Sequence, residues 1–393
     1  MKSSATESAP GVEAPLLDGI LVLDLSQFLS GPFAALRLAD LGARVIKVER
    51  PDGGDLCRRL YLSDTELGGD STLFHAINRG KESFAADFKN PADIEAVRKL
   101  ITRADVVIQN FRPGVIERLG FDYAKARELN PRIVYASISG YGDEGPWKGL
   151  PGQDLLAQAR SGVMWLNGDA DQGPVPFGLA IADLLAGNAV AQGVLAGLVR
   201  CGLSGRGAHI RTSLLEALVD FQFEVLATYL NDGGRPPQRS AFRNAHAYLS
   251  APYGVYQTAD GWLALAMTPL DKLAPLIGMP ELANLPADAP FHDRDAIKSR
   301  LAAKLQTRST ADWLAALEPY DVWCSEVMNW PALFESENFR LLDMVQTLGR
   351  SDGFTIRTLR SPIRVNGQRN QTQSPAPRIG ENTEALRQEF ALG

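Results

Sequence analysis

The sequence predicts an α/β protein, in which a large domain contains an open, mostly parallel, Rossmann-like sheet and a smaller domain is α+β. Predicted strands alternate with predicted helices, strand ends carry polar or glycine-containing turns, and composition and periodicity change near Asn231. We therefore expect a loose tail at 1–14, a large domain at 15–231 that about 346–393 completes, and a small domain with linkers at 232–345.

The first elements form a βαβ unit. A buried strand at 16–24 is followed by a helical pattern at 33–41 and by a second strand at 43–49. A dinucleotide-binding fold shows the same order, with an acidic residue such as Glu49 after the second strand. Only Gly31-Pro32 stands where the G-x-G-x-x-G turn would lie, so the NAD interpretation loses its main physical support.

The alternation continues along the chain. Strands are predicted at 83–88, 104–111 and 132–142, with helices at 92–103 and 115–119. Ligands of such sheets bind at the carboxyl ends of the strands. These ends carry polar and glycine residues here, so the site is expected along this edge.

Four basic residues follow the predicted strand ends: Arg50, Lys89, Arg112 and Arg118. Together they can hold a polyphosphate such as the diphosphate and ribose phosphate of coenzyme A, since guanidinium groups suit bidentate phosphate contacts. The alternative is that each is a solvated surface charge, as most arginines and lysines are.

A buried helix is predicted within 175–200, and its one charged residue before Arg200 is Asp183. Burying a lone carboxylate in a helix costs free energy unless the carboxylate forms an ion pair, caps the helix or takes part in a reaction. One interpretation is that Asp183 caps the helix. The other is a nucleophilic carboxylate surrounded by backbone amides. The two are compatible, because a cap position also supplies N–H donors.

The later segments contain further elements. We predict a short helix at 154–159, a strand and one long helix ending at about Asn231, and two strands around the turn at 259–261. Residues 270–345 are mostly helical with a short strand at 322–327. A last hairpin element at 354–365 and a short terminal helix follow, and this tail can return to the first domain.

Composition excludes several classes of function. The net charge of −6 provides no footprint for nucleic acid. The three cysteines and four histidines are scattered, so no disulfide or metal site is expected and a reducing cytoplasm fits. Residues 1–14 lack the apolar core of a signal peptide, and no apolar run is expected to cross a membrane.

Long ordered blocks of this chain resemble the class III CoA-transferase family, the formyl-CoA/carnitine type that is related to alpha-methylacyl-CoA racemases. The matching blocks include LADLGARVIKVERPDGGD, INRGKESFAADFKNP, ADVVIQNFRPGVIERLGFDY, APYGVYQTADGW and the Asp183 segment. The resemblance covers nearly the whole chain. It implies that Asp183 is the nucleophile, that coenzyme A is a substrate with no tightly bound cofactor, and that two chains form an interlocked homodimer.

The resemblance also implies where coenzyme A is contacted. The positions are Leu29 and Ser30 after the first strand, Arg50 after the second, Ala86 to Lys89 after the third, and Asn110, Phe111, Arg112 and Arg118 after the fourth. These positions coincide with the strand ends that the residues alone indicate.

The chain departs from relatives at two places. The racemases carry a histidine where this chain has Gln153, and an amide cannot take an α-proton. Gln153 can orient Asp183 or the acceptor, or be an ordinary loop amide. No glycine-rich loop stands where oxalate-specific members carry one. Arg243 and His246 lie there instead, and can bind a second carboxylate or form a solvated turn.

The sequence therefore predicts an enzyme that moves CoA from an acyl-CoA, with succinyl-CoA as expected donor, to a short carboxylic or dicarboxylic acid through an aspartyl-CoA thioester on Asp183. Backbone N–H groups near Ser30 or Gly140 would stabilise the developing oxyanions. The alternatives are a racemase-like isomerase, a nucleotide-binding oxidoreductase and a non-catalytic CoA-binding protein.

Overall fold

The computed structural model describes residues 14–350, 352–372 and 374–393, so the predicted tail at 1–14 lies outside the described residues except for Ala14. The strands, in chain order, are β1 Leu21–Asp24, β2 Arg44–Glu49, β3 Glu66–Leu67, β4 Asp70–Ser71, β5 Glu82–Ala85, β6 Val106–Gln109, β7 Val134–Ser139, β8 Ala208–Ser213, β9 Gly254–Gln257, β10 Trp262–Leu265, β11 Cys324–Glu326, β12 Val345–Gly349, β13 Thr355–Leu359, β14 Arg364–Val365 and β15 Gln368–Arg369.

The helices, in chain order, are α1 Ser30–Ala39, α2 Thr72–Asn78, α3 Pro91–Arg103, α4 Val115–Leu119, α5 Tyr123–Leu129, α6 Asp154–Ser161, α7 Ile181–Ser204, α8 Leu214–Phe221, α9 Phe223–Asn231, α10 Leu270–Leu276, α11 Ala289–His292, α12 Arg294–Leu305, α13 Thr310–Leu317, α14 Trp330–Glu335, α15 Glu337–Leu342 and α16 Thr383–Glu389.

The chain forms two compact units. Unit 1 contains the described parts of Met1–Ala157, Ala180–Leu218 and Leu342–Gly393, and unit 2 contains Gln158–Leu179 and Val219–Leu341. The division into domains at residues 231 and 345 stays a prediction.

Unit 1 is built on a six-stranded parallel sheet in the order β5-β2-β1-β6-β7-β8, which confirms the predicted fold class and the first βαβ unit. The strands run outward from β1 to β2 and β5, and then from β6 to β7 and β8. The order therefore reverses between β1 and β6. In open parallel sheets this reversal leaves a crevice at the carboxyl ends, where ligands bind.

Helices α1 and α7 pack closely in unit 1, because Gly187 leaves no side chain between them. A Cβ atom on Gly187 would lie 2.7 Å from the carbonyl oxygen of Ser30 and 2.9 Å from the ring of Phe33. Any larger residue would push the start of α1 away from the first turns of α7. The small residues of the Asp183 segment thus bring two helix N-termini together.

Helix α7 corrects one expectation from the sequence. It is 24 residues long and contains an 18-residue window with a mean hydropathy of 1.4, so by length and composition it could cross a membrane. The core helix of a folded domain passes the same test, and Ala186 and Val190 of α7 are fully buried. The helix is therefore weak evidence for a membrane span.

The helix predicted to run to Asn231 is interrupted. It consists of α8 and α9, separated at Gln222, whose φ and ψ of −93° and 13° leave the helical region. The buried side-chain amide of Gln222 donates to the carbonyl oxygen of Ser161 at 3.1 Å. This tertiary contact, invisible in the local sequence, accompanies the break.

Unit 2 has its own core and sheet. Strands β9 and β10 pair as the predicted antiparallel hairpin, and β11 lies on the other side of β10. Helices α10, α12 and α13 pack on this sheet around Trp313, which is 1% exposed.

The C-terminal segment of unit 1 covers the edge strand β5. The side chain of Asn382 accepts from the Ser83 N–H, and the Thr383 hydroxyl accepts from the Ala85 N–H, each at 2.9 Å. These contacts satisfy edge groups that would otherwise be open to another strand.

Candidate active site

Asp183 is the third residue of α7, not its cap. The N-cap position is Ala180, which makes no side-chain capping bond. The Asp183 side chain is half-buried at the helix N-terminus. The interpretation of Asp183 as a helix cap is therefore wrong, and its carboxylate is available for other contacts.

The capping role belongs to Asp154, the first residue of α6. Its Oδ2 accepts from the N–H of Ala182 at 2.7 Å and from the N–H of Asp183 at 3.2 Å. Asp154 is 8% exposed, so a buried carboxylate satisfies two free donors of α7. Sequence reasoning singled out Gln153 and missed its neighbour, because the two donors lie almost thirty residues further along the chain.

Ser30 faces Asp183 from the first turn of α1. Its backbone N–H and its hydroxyl both donate to the Asp183 carboxylate. Ser30 is 4% exposed, so water competes little with Asp183 for these two donors. This contact brings together two residues that the sequence had assigned to one site.

The environment raises the pKa of Asp183 to about 6. Burial is the largest cause and the neighbouring Asp154 charge is the second, while the two Ser30 donors lower the pKa. A carboxylate with a pKa near 6 is about nine-tenths ionised at pH 7. It is also more basic than an ordinary aspartate, which favours nucleophilic attack.

A backbone contact between Gly140 and Gly152 positions Asp154. A Cβ atom on Gly140 would lie 2.5 Å from the Cα of Gly152, and the reverse substitution is as tight. Gly140 directly follows β7, so this approach holds the start of α6 at the carboxyl end of that strand. The turn glycines singled out in the sequence thus have a packing role.

The predicted contacts at the β1–β6 crevice come together in part. Leu29 is buried beside Ser30, and the side-chain amide of Asn110 binds Gln27 twice, accepting from its N–H at 2.8 Å and donating to its carbonyl at 2.7 Å. The Asn110 side chain therefore holds the loop after β1. Phe111 follows it and is half-buried.

The predicted phosphate-binding residues lie along the same edge of the sheet. Arg50, Lys89, Arg112 and Arg118 are all exposed and follow β2, β5 and β6. None of the ion pairs formed by the described residues includes one of these four cations. Ala86 is buried, and its N–H donates to the Glu49 carbonyl at 2.9 Å, which extends the pairing of β5 with β2.

A cavity of about 1170 Å³ opens beside β6, β7 and β8. Its lining includes Phe111, Arg112 and Lys148, but not Asp183. The cavity therefore extends the predicted cationic edge and does not contain the carboxylate. In the described part of the chain, no group of three or more His, Cys, Asp or Glu side chains could hold a metal ion.

The remaining predicted residues are described within their own units. The Gln153 side chain is exposed, and the backbone carbonyl of Gln153 accepts from the Ala157 N–H at 2.9 Å. In unit 2, the Arg243 guanidinium stacks over Trp262 at 4.8 Å.

His246, the other predicted substrate contact in unit 2, has both ring nitrogens engaged. Nδ1 accepts from the Tyr248 N–H at 3.2 Å, so Nε2 carries the proton and donates to Glu224 at 2.9 Å.

Comparison with known proteins confirms the resemblance inferred from the sequence. The model of CoA-transferase family III matches residues 17–383. The succinate–glutarate CoA-transferase of Agrobacterium fabrum is 36% identical over 94% of each chain, and the acetyl-CoA:oxalate CoA-transferase of Acetobacter aceti is 34% identical over 98% of each. A CAIB/BAIF family protein from Brucella suis has a TM-score of 0.83 at 31% identity, covering 96% of this chain and all of its own. The chain belongs to CoA-transferase family III and is a CoA-transferase.

Proposed function

We propose that this enzyme transfers CoA from succinyl-CoA to a short dicarboxylic or carboxylic acid through a thioester on Asp183. The observation that carries the proposal is the half-buried Asp183 carboxylate, with its raised pKa and its two Ser30 donors at the start of α1. The similar enzymes named for glutarate and oxalate support the class of acid.

The first half of the reaction forms the enzyme thioester. An Asp183 oxygen attacks the donor thioester carbonyl, the C–S bond breaks, and CoA leaves as a thiolate while a mixed anhydride forms. The thiolate then attacks the Asp183 carbonyl carbon. This forms the aspartyl-CoA thioester, breaks the anhydride C–O bond and releases the donor acid.

The second half reverses these steps with the acceptor. Its carboxylate attacks the aspartyl thioester, the thiolate leaves, and the new anhydride is opened by thiolate attack on the acceptor carbonyl. Asp183 is regenerated as a carboxylate, and no net proton is gained or lost. The Ser30 donors already contact the Asp183 oxygens, so they can stabilise the oxyanion at this carbon.

Substrate binding follows from the same edge of the sheet. Arg50, Lys89, Arg112 and Arg118 would bind the phosphates of CoA, since exposed cations following neighbouring parallel strands suit an extended polyphosphate. The buried Leu29 and Ala86, with Asn110 and Phe111, would shape the groove between them.

We propose Gln153 of unit 1 as a contact of the acceptor acid. Separately, we propose Arg243 and His246 of unit 2 as carboxylate-binding residues. Arg243 is the better carboxylate ligand of the latter two, because Glu224 already binds His246.

The homodimer stays a prediction that exposed apolar surface supports. Leu203 on α7 is 86% exposed and Trp330 on α14 is 79% exposed. In unit 2 the exposed apolar side chains of Met328, Trp330 and Phe334 follow one another closely along the chain, and contiguous exposed apolar surface is typical of a region that a partner covers. The cytoplasmic location and the interlocking of the chains also stay predictions.

The mechanism is tested by Asp183→Asn. The amide retains the size of the side chain but cannot form the anhydride, so CoA transfer from succinyl-CoA to glutarate or oxalate should fall by a factor of about 10³ or more, measured by mass spectrometry. When the unmodified enzyme is incubated with succinyl-CoA, hydroxylamine should attack the Asp183 thioester, release CoA and leave a hydroxamate on Asp183.

Asp312→Asn is the matched control, since Asp312 is also the third residue of its helix, α13, and is exposed. It should transfer CoA normally. Transfer by Asp183→Asn at the original rate would contradict the proposal. Deuterium exchange at the α-carbon of an acyl-CoA without transfer would instead indicate the isomerase.

A further inference from the structure

The loop between β1 and α1, residues 25–29, is held by buried charges. The Ser26 N–H donates to Asp24 Oδ1 at 3.0 Å, and the Ser26 carbonyl accepts from Lys47 Nζ at 2.9 Å. Asp24 and Lys47 are both 0% exposed. Both backbone groups of Ser26, the second residue of the loop, are therefore bound by fully buried ionic side chains.

A buried carboxylate holds the other end of the same loop. The N–H of Phe28 donates to Asp55 Oδ1 at 3.1 Å, and Asp55 Oδ2 lies 2.7 Å from Lys47 Nζ. The ion pair of Lys47 with Asp55 thus bridges the carbonyl of Ser26 and the N–H of Phe28.

Phe28 needs such a restraint. Its φ is +63°, in the left-handed region that a bulky residue rarely adopts, and its side chain is 48% exposed, so core packing contributes little. Without the bridge the backbone would relax toward negative φ. Because Ser30 follows two residues later, that relaxation would redirect the Ser30 N–H and hydroxyl.

The cost of burying these charges argues for a geometric role. A buried ion pair is seldom more stabilising than apolar residues of the same volume. Here a second buried lysine, Lys81, donates to Asp24 at 2.9 Å and to the Pro32 carbonyl at 2.8 Å, in the first turn of α1. The network ends on backbone groups on both sides of Ser30.

We propose that Lys47 is a positioning residue, which with Asp55 holds Phe28 in its left-handed conformation and so aims the Ser30 donors at Asp183. The inference rests on the proposed role of Asp183 as nucleophile. Lys47 acts through the loop and contacts no reacting atom.

The test is the pH profile of kcat/KM for CoA transfer in Lys47→Met. The Ser30 donors stabilise the ionised Asp183, so losing them raises its pKa above about 6. Because the ionised carboxylate is the nucleophile, the acid limb of the profile should move to higher pH, by about half a unit or more. Asp154 is unchanged in this variant.

Arg79→Met is the matched control. Arg79 and Asp40 form a buried ion pair at the opposite end of α1, so this variant loses the same kind of contact in the same unit. It should lose stability without moving the acid limb. Equal displacement of the limb in both variants, or none in Lys47→Met, would overturn the proposal.

A cycle with Phe28→Gly separates positioning from the direct effect of the Lys47 charge. Glycine adopts positive φ without strain, so the loop should keep its shape without the bridge. The shift of the acid limb caused by Lys47→Met should therefore be at least twofold smaller in the Phe28→Gly background. A displacement of the same size in both backgrounds would show a through-space charge effect and refute positioning.

If Lys47→Met does not fold, Asp55→Asn is a milder way to remove the ion pair of Lys47 with Asp55. It keeps an acceptor oxygen for the Phe28 N–H but loses the negative charge. It should move the limb in the same direction by less, and a folded Asp55→Asn enzyme with the original limb refutes the inference. Loss of the proposed function is distinguishable, because active Asp183→Asn enzyme would reveal it before any Lys47 variant is made.

Discussion

Two loops, one in each unit, contain a bulky residue with positive φ and a buried lysine that binds the loop backbone. The charges around the two lysines differ. In unit 1, Phe28 has a φ of +63° and its loop is pinned by Lys47 and Asp55; in unit 2, Arg243 has a φ of +52° and its carbonyl accepts from the buried Lys298 at 2.6 Å. In each unit, a buried lysine therefore binds the backbone at or near a bulky residue in the left-handed region.

The surroundings of the two lysines differ. Burial lowers the pKa of Lys47, but the charges of Asp24, Asp55 and Glu49 outweigh it and raise the pKa above its usual value. Burial lowers the pKa of Lys298 to about 8, helped by the charge of Arg294 and opposed by its few acidic neighbours. The three carboxylates near Lys47 therefore offset a burial cost that lowers the pKa of Lys298.

The largest expected difference between the loops is in stability. Lys47→Met removes the cation paired with the buried Asp55 and leaves Asp24 with its Lys81 pair, which should lower the free energy of unfolding by about 3–5 kcal/mol. Lys298→Met removes chiefly one hydrogen bond and should cost about 1–2 kcal/mol. Urea unfolding followed by circular dichroism measures both free energies. Equal losses would show that the carboxylates of Asp24 and Asp55 do not increase the cost of removing Lys47.

The second difference is in the alkaline pH dependence of stability. Between pH 8 and 10.5 the unfolded state binds more protons at Lys298 than the folded state does, because the folded pKa is lowered from 10.5 to about 8. The contribution of Lys298 therefore rises with pH across this window. The gap in unfolding free energy between the unmodified enzyme and Lys298→Met should widen by about 2 kcal/mol from pH 7.5 to pH 10.

Lys272→Met is the control for that measurement, since Lys272 is an exposed lysine of the same unit. Its gap should stay nearly constant over the same range. A gap for Lys298→Met that narrows as pH rises would mean that Lys298 stays protonated in the folded state.

The smallest expected effect concerns the backbone conformation itself. At both Phe28 and Arg243, glycine should leave the protein about 0.5–1 kcal/mol more stable than alanine does, because only glycine adopts positive φ without steric cost. Thermal unfolding of the four variants compares the pairs. A preference for alanine at either position would show that the loop relaxes on substitution.

The sheet could be predicted from the sequence because the patterns that indicate its strands and helices are local in the chain. The apolar runs of β1, β2, β6 and β7 and the intervening helical patterns each lie within one stretch of chain. The family resemblance assigns Asp183 and Ser30 to one site, but it does not predict their contact, which depends on the tertiary packing of α7 against α1 at Gly187.

The rest of the site depends on contacts between distant residues. Asp154 caps α7 from across the chain, which no capping rule for the Asp183 segment could indicate. Lys47 did offer a signal, since a lysine in the middle of a buried strand needs buried partners. Which carbonyl it would reach depends on the fold of the loop after β1.

The close approach at Gly187 has a consequence for altering which acids the enzyme accepts. The spacing between the Asp183 carboxylate and the Ser30 donors follows from the close approach of α7 to the main chain of α1, and not from the side chains proposed to meet the acyl group. Substitution of Gln153, the acceptor contact proposed in the same unit, can therefore proceed while the Asp183 carboxylate keeps its place, provided that residue 187 remains glycine.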